Sequence, residues 1–121
     1  MQPFPPPHEL QFFVGRRLEV ILLGQFSAIF QFDGENWIRS DFKFSYRASS
    51  GVLSSHHVQD KYLPDPISCQ DLLGRLVERI SVANTILSVV FDDGSELLVE
   101  TEIGPYEAGS FGQDGQFHSA F

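Results

Sequence analysis

Positive charge runs out early in this chain of 121 residues: the last lysine or arginine is Arg79, and none follows it. The whole sequence holds 8 basic against 16 acidic residues, for a net charge of -8. A nucleic-acid binder needs lysine and arginine to displace counterions from phosphates, so no nucleic-acid partner is expected. No membrane partner is expected either, because an anionic surface repels such a chain. No apolar run approaches the ~20 residues of a membrane span. Cysteine is almost missing: Cys69 alone permits no intrachain disulfide and no zinc framework, and reads as a small buried residue. The opening MQPFPPPHELQFF has neither a charged n-region nor an apolar h-region. No signal peptide is therefore expected, and the expected location is cytoplasmic.

The usual catalytic groupings are missing too. His8, His56, His57 and His118 show no H-x-x-x-H or H-E-x-x-H spacing. His56 and His57 with Asp60 read as a solvated loop, since adjacent strand residues point to opposite sides and chelate poorly. No G-x-S-x-G elbow is present, and GSFGQDG follows no strand-to-helix transition that would cradle phosphate. Asp92 and Asp93 have the chemistry of a general acid and base or a calcium site, but aspartate in a hairpin turn has a simpler, conformational cause. No catalytic residue, metal site or cofactor is expected.

What is present is a repeated plan. Of 16 aromatic residues 12 are Phe, which suits a packed sheet interior. A shift of 59 aligns Pro5 with Pro64, Gln11 with Gln70, Gly15 with Gly74, Arg16 with Arg75, Glu19 with Glu78, Ile21 with Ile80 and Phe32 with Phe91. Asp93 reads as one extra turn residue, after which a shift of 60 pairs Gly34 with Gly94 and Tyr46 with Tyr106. Each half opens on a proline-bearing helical lead that a glycine, Gly15 or Gly74, ends in a left-handed conformation. Alternating strands follow. FSAIFQF gathers Phe26, Ala28, Phe30 and Phe32 on one face, and TILSVVF gathers Leu87, Val89 and Phe91. Asp-Gly then turns the chain into the return strands NWIRSDFKF and ELLVETEI.

The expected fold is one α+β, mainly β domain over residues 1–121. Its related halves, about 4–46 and 63–106, are each a short helix plus a three-stranded antiparallel meander, packed as a sandwich or one curved sheet. Residues 47–62 form the linker, with room for one short strand. The tail, 107–121, reads as a further hairpin that covers an edge strand or pairs with a second subunit.

The acids cluster late. Asp92, Asp93, Glu96, Glu100, Glu102, Glu107 and Asp114 all fall after the last basic residue, whereas the first return strand carries Arg39 and Lys43. On a strand, Glu96, Glu100 and Glu102 form one row with Leu98 among them, opposite Leu97, Val99, Thr101 and Ile103. Such a row reads as a solubility device or as a docking face for a basic protein.

The segments LLGRLVERI, LSVVFDDGSELLV and PYEAGSF resemble a family of small bacterial domains of unknown function. Its pattern is a G-R/K-x-V strand start, an F-x-D-G-s-x-L-x-V hairpin and a P-Y-E segment, matched across residues 72–111. Similar small acidic domains occur among immunity proteins of bacterial toxin systems, and the resemblance implies that kind of role.

The function expected from these readings is recognition of a basic protein partner, without catalysis. Its contact residues are Asp92, Asp93, Glu96, Leu98, Glu100, Glu102, Tyr106 and Glu107. Alternatives are a small-molecule-binding protein or hydrolase with its ligand between two sheets, and a structural homodimer joined through the tail.

Overall fold

Strands form where apolar and polar residues alternate, and in the computed structural model they pair into two antiparallel sheets of five. The structure describes residues 4–57, 71–102 and 107–121, with the backbone alone at His56 and His57. The first sheet contains β1 (Leu18–Leu23), β2 (Ala28–Phe32), β3 (Asn36–Ser40), β9 (Gly109–Gln113) and β10 (Gln116–Ala120), in the order β1-β2-β3-β9-β10. The second contains β4 (Lys43–Arg47), β5 (Leu53–His57), β6 (Val77–Ala83), β7 (Ile86–Phe91) and β8 (Glu96–Glu100), in the order β5-β4-β8-β7-β6. The fold is thus mainly β. Helical structure among the described residues is a 3-10 helix, Pro7–Phe13, which starts on Pro7 with Glu9 in its first turn and buries Leu10 and Phe13, and a short 3-10 turn at Asp71 and Leu72. Ser68 and Cys69, in the second lead, lie outside the described residues.

Neither sheet is built from one half of the chain. Each three-stranded meander is completed by a hairpin from elsewhere in the chain: β9–β10, in the tail, joins β3, and β4–β5, which runs into the linker, joins β8. The expected single return strand NWIRSDFKF therefore breaks at Asp41 and Phe42, where the chain crosses between sheets. Asp41 N–H donates to Ala108 O (2.7 Å) at the crossing. The expected tail hairpin exists and covers the open edge of β3.

The two sheets meet at a matched exchange of hydrogen bonds. Leu18 N–H donates to Arg75 O (3.0 Å), and Val77 N–H donates to Arg16 O (2.8 Å). Gly15 N–H donates to Val77 O and Gly74 N–H to Leu18 O, both at 2.8 Å. An antiparallel bridge between Arg17 and Leu76 sits at the centre. Just beyond it each strand bulges at a glutamate: pairing slips between Leu18 and Val20, and between Val77 and Arg79. A bulge bends and twists its strand, so Glu19 and Glu78 mark where the two strands diverge into separate sheets.

The register corrects one detail of the expected repeat. Phe30 pairs with Ile38 and Val89 with Leu97, so the spacing of 59 continues through both turns. Asp93 is not an insertion. Phe26, expected to join Ala28, Phe30 and Phe32 on the buried face, is instead 71% exposed, because it lies in the β1–β2 turn before β2 begins.

One core fills the space between the inner faces. Phe30 of β2 meets Phe44 of β4 edge-on at 5.2 Å, joining the two sheets. Phe13 carries the 3-10 helix onto Phe32 (5.3 Å) and Phe111 (6.1 Å). Each fully buried Phe contributes ~1.5–3 kcal/mol relative to exposure.

Gly15 and Gly74 hold φ of +82° and +85° with open space where a side chain would stand. Substitution meets backbone strain alone. Gly15→Ala and Gly74→Ala should each lower stability by about 1–2 kcal/mol in urea denaturation, and by similar amounts.

Candidate functional site

Strand β8 places its side chains as alternation dictates. Leu97 and Val99 are fully buried, while Glu96, Leu98 and Glu100 line the opposite, solvent face. Thr101 is buried and Glu102 exposed beyond the strand end, so Glu102 does not extend the row as a strand residue. Asp92 and Asp93 are exposed in the turn before Glu96. Glu107 is exposed on the approach to β9, and Tyr106 lies outside the described residues, as does Ile103.

The acids of β8 are answered from within the chain. Strand β4 pairs directly with β8, setting Lys43 opposite Glu100 and Arg47 opposite Glu96. Lys43 Nζ lies 3.4 Å from Glu100 Oε2, and Arg47 Nε lies 3.6 Å from Glu96 Oε1. Ser88 Oγ also donates to Glu96 Oε2 (2.7 Å). In the turn, Asp93 accepts bonds from Ser95 N–H (3.0 Å) and from the Ser95 hydroxyl, and its other oxygen lies 3.4 Å from Arg75 Nε. Three of the seven late acids, Asp93, Glu96 and Glu100, are thus paired with bases from elsewhere in the chain.

Two aspartates titrate in opposite directions. The Ser95 hydroxyl holds Asp93 below the ordinary aspartate value, with Ser95 N–H and Arg75 acting the same way against a smaller effect of burial. Burial pushes Asp41 above it, opposed by Arg39, whose Nη2 lies 3.1 Å away, and reinforced by Glu107. Among the described residues no three His, Cys, Asp or Glu side chains gather as metal ligands.

The solvent face of the first sheet is a different surface. Cross-strand pairing runs one row through Val20, Gln31, Trp37, Gly112 and Phe117, and a second through Leu22, Ile29, Arg39, Ser110 and Ala120. Phe117 is 66% exposed on β10, and Val20 and Leu22 are exposed on β1 at the opposite edge of the sheet. Gly112 is required here: a Cβ would overlap the indole ring of Trp37, which lies across its backbone.

A cleft of about 330 Å³ opens on this face. Its lining combines the apolar Val20, Phe32 and Trp37 with Gln31 and Asn36 and with two acids, Glu19 and Glu35. Its end is held by two docked turns. Gly115 N–H donates to Glu35 O (2.8 Å), and Asp114 N–H donates to Asn36 Oδ1 (3.1 Å), while Asn36 Nδ2 donates to Asp33 O (2.9 Å).

The same ladder positions in the second sheet carry other side chains. Arg79 stands where the first sheet has Val20, Ser81 where it has Leu22, Ser88 where it has Ile29, and Glu96 where it has Trp37. The architecture accepts polar residues at these places, so it does not itself demand the apolar ones. Sequence reading missed Trp37 because its strand offers Asn, Ile and Ser in one phase and Trp and Arg in the other, with no apolar preference to read.

Each exposed cross-strand pair is worth ~0.2–1 kcal/mol. Glu96→Lys with Glu100→Lys should lower stability by about 1–2 kcal/mol, since like charges then stand directly opposite Arg47 and Lys43. Adding Lys43→Glu to Glu100→Lys should restore most of the loss at that pair in thermal denaturation. In a carboxyl-carbon titration by NMR, Asp93 should ionise below and Asp41 above the ordinary aspartate value. By linkage, Asp93 stabilises the fold above its unfolded pKa, and this is lost as pH falls through its depressed folded value. Ionised Asp41 opposes folding, and that penalty is relieved as pH falls through its raised folded value.

Comparison of the chain with protein-family models, curated proteins and solved structures finds no match, so its likeness to other proteins adds nothing to this geometry.

Proposed function

We propose that the protein is a non-catalytic recognition module for a basic protein partner, and that the partner docks on the solvent face of the first sheet. The observation that carries this reading is the contrast between the two sheets. At four equivalent ladder positions one face has Val20, Leu22, Ile29 and Trp37 and the other Arg79, Ser81, Ser88 and Glu96, while at two more Gln31 and Arg39 stand against Val90 and Leu98. Aromatic side chains set among apolar neighbours and rimmed by polar groups are the usual make-up of a protein interface core. The rim chemistry selects a basic partner. Glu19 and Glu35 are exposed and form no ion pair among the described residues, whereas Glu96, Glu100 and Asp93 each have one. A net charge of -8 would draw such a partner from a distance and repel a second copy.

The contact set first expected on β8, with Asp92, Glu102 and Glu107, remains as an outer field that steers approach. The resemblance of residues 72–111 to small acidic bacterial domains gives the reading its narrower form, an immunity protein of a bacterial toxin system. A further part of the reading is that the two halves descend from one duplicated unit, which the matched hydrogen bonds and bulges support. The outer face of one copy has then taken on binding while the other kept solubility.

Selection from a displayed library of random short peptides tests the reading. Enriched peptides should combine arginine or lysine with neighbouring apolar residues, and bind less well as salt rises. Trp37→Ala or Phe117→Ser should abolish enrichment, and Glu96→Gln with Glu100→Gln should leave it intact. Enrichment that survives the Trp37 change and disappears with the β8 change would return the contact face to β8. Concentration-dependent sedimentation with no peptide selected would support a homodimer instead.

A further inference from the structure

We infer that the cleft beside Trp37 is a reading pocket for one arginine side chain of the docked partner. The inference rests on the proposed docking face and assigns that face its specificity. Three features of the cleft converge on a guanidinium group. Its lining includes Trp37, whose indole is the aromatic ring that attracts cations most strongly and on which a planar guanidinium stacks. Its carboxylates, Glu19 and Glu35, come from different elements, the β1 bulge and the β2–β3 turn, and the side chain of Gln31 adds a further acceptor. Its volume of about 330 Å³ lies at the small end of ligand pockets, enough for a side chain and too little for a large ligand.

The cleft is built, not incidental. The bulge at Glu19 takes that residue out of the regular ladder, and the left-handed Glu35 (φ 60°) turns the chain at the opposite end. The bonds from Gly115 to Glu35 O and from Asp114 to Asn36 fix the second turn against the first. Glycine at 112 lets Trp37 lie over β9, which leaves room on the side facing β1. Two of the chain's own cations lie near this turn, and neither lines the cleft: Arg16 lies against Gly34 with its Nε donating to Phe12 O (3.4 Å), and Arg17, exposed, is tied to Asp33 through its backbone. At the corresponding places in the second sheet, Arg79 and Glu96 replace Val20 and Trp37, so that face has neither the indole nor the need for a cation from outside.

Trp37 is the sole tryptophan, so its fluorescence reports on the cleft alone. The test is titration of the intact protein with arginine amide, beside its neutral isostere citrulline amide and lysine amide. A saturable change with arginine amide is expected, weaker with lysine amide and absent with citrulline amide. Glu19→Gln and Glu35→Gln should each weaken arginine binding by about tenfold, as loss of a charge-assisted contact does. Both sites are exposed, and unchanged far-ultraviolet dichroism would show that the variants fold. As a check that needs no variant, arginine binding to the wild-type protein should weaken as salt rises. No response to arginine amide, or an equal response to citrulline amide, would overturn the pocket. If basic peptides were still selected through Trp37 and Phe117, the docking face would stand without it.

Discussion

The backbone exchange between residues 15–18 and 74–77 is the constraint from which the rest of the architecture follows. Four hydrogen bonds, matched in pairs, lock the start of β1 against the start of β6. They form beside turns with positive φ, which glycine at 15 and 74 supplies without strain. The bulges at Glu19 and Glu78 then bend the strands away from each other. Each meander is led off on its own side of the core, and each leaves an inner strand, β3 or β8, with one edge open. A hairpin from elsewhere in the chain fills that edge.

This exchange accounts for part of the uneven spread of acid and base along the chain. Lys43 and Arg47 belong to the first half in sequence and to the second sheet in space, where Glu100 and Glu96 await them. A strand of one half needs a complement in the other, so a local charge count misleads. What looks like an acidic face made for an external partner is first of all half of an internal pairing.

Much of the fold was legible because the buried phase is strong. Leu87, Val89 and Phe91, or Ala28, Phe30 and Phe32, leave little choice of face, and Asp-Gly marks the turns with a backbone requirement. The exchange of hairpins was not legible. Asn36, Ile38 and Ser40 point inward in β3, and Phe44 and Tyr46 continue the same even-numbered phase in β4. Alternation thus runs unbroken across Asp41 and Phe42 while the chain changes sheet. The acidic row on β8 was readable for the same reason as the core, by period two. Its neutralisation was not, because strand pairing between distant segments leaves no local trace. Trp37 and its cleft depend on Gly112, far along the chain, and neither residue announces the other.

Completing either sheet by a distant hairpin also sets the order in which the molecule can be made. Trp37 must wait for Gly112, and Lys43 for Glu100, before β3 and β4 have all their neighbours. Contacts that close most of the chain into a loop demand a large loss of entropy before they return any stabilisation. A nascent chain therefore holds the exposed edge of β3 until β9 has been made, and Phe121, buried against Phe4 and Phe111, closes the core behind it. Deleting β10 together with Phe121 does not trim an appendage. It leaves an open edge and an uncovered core, in a species more prone to aggregate than to fold.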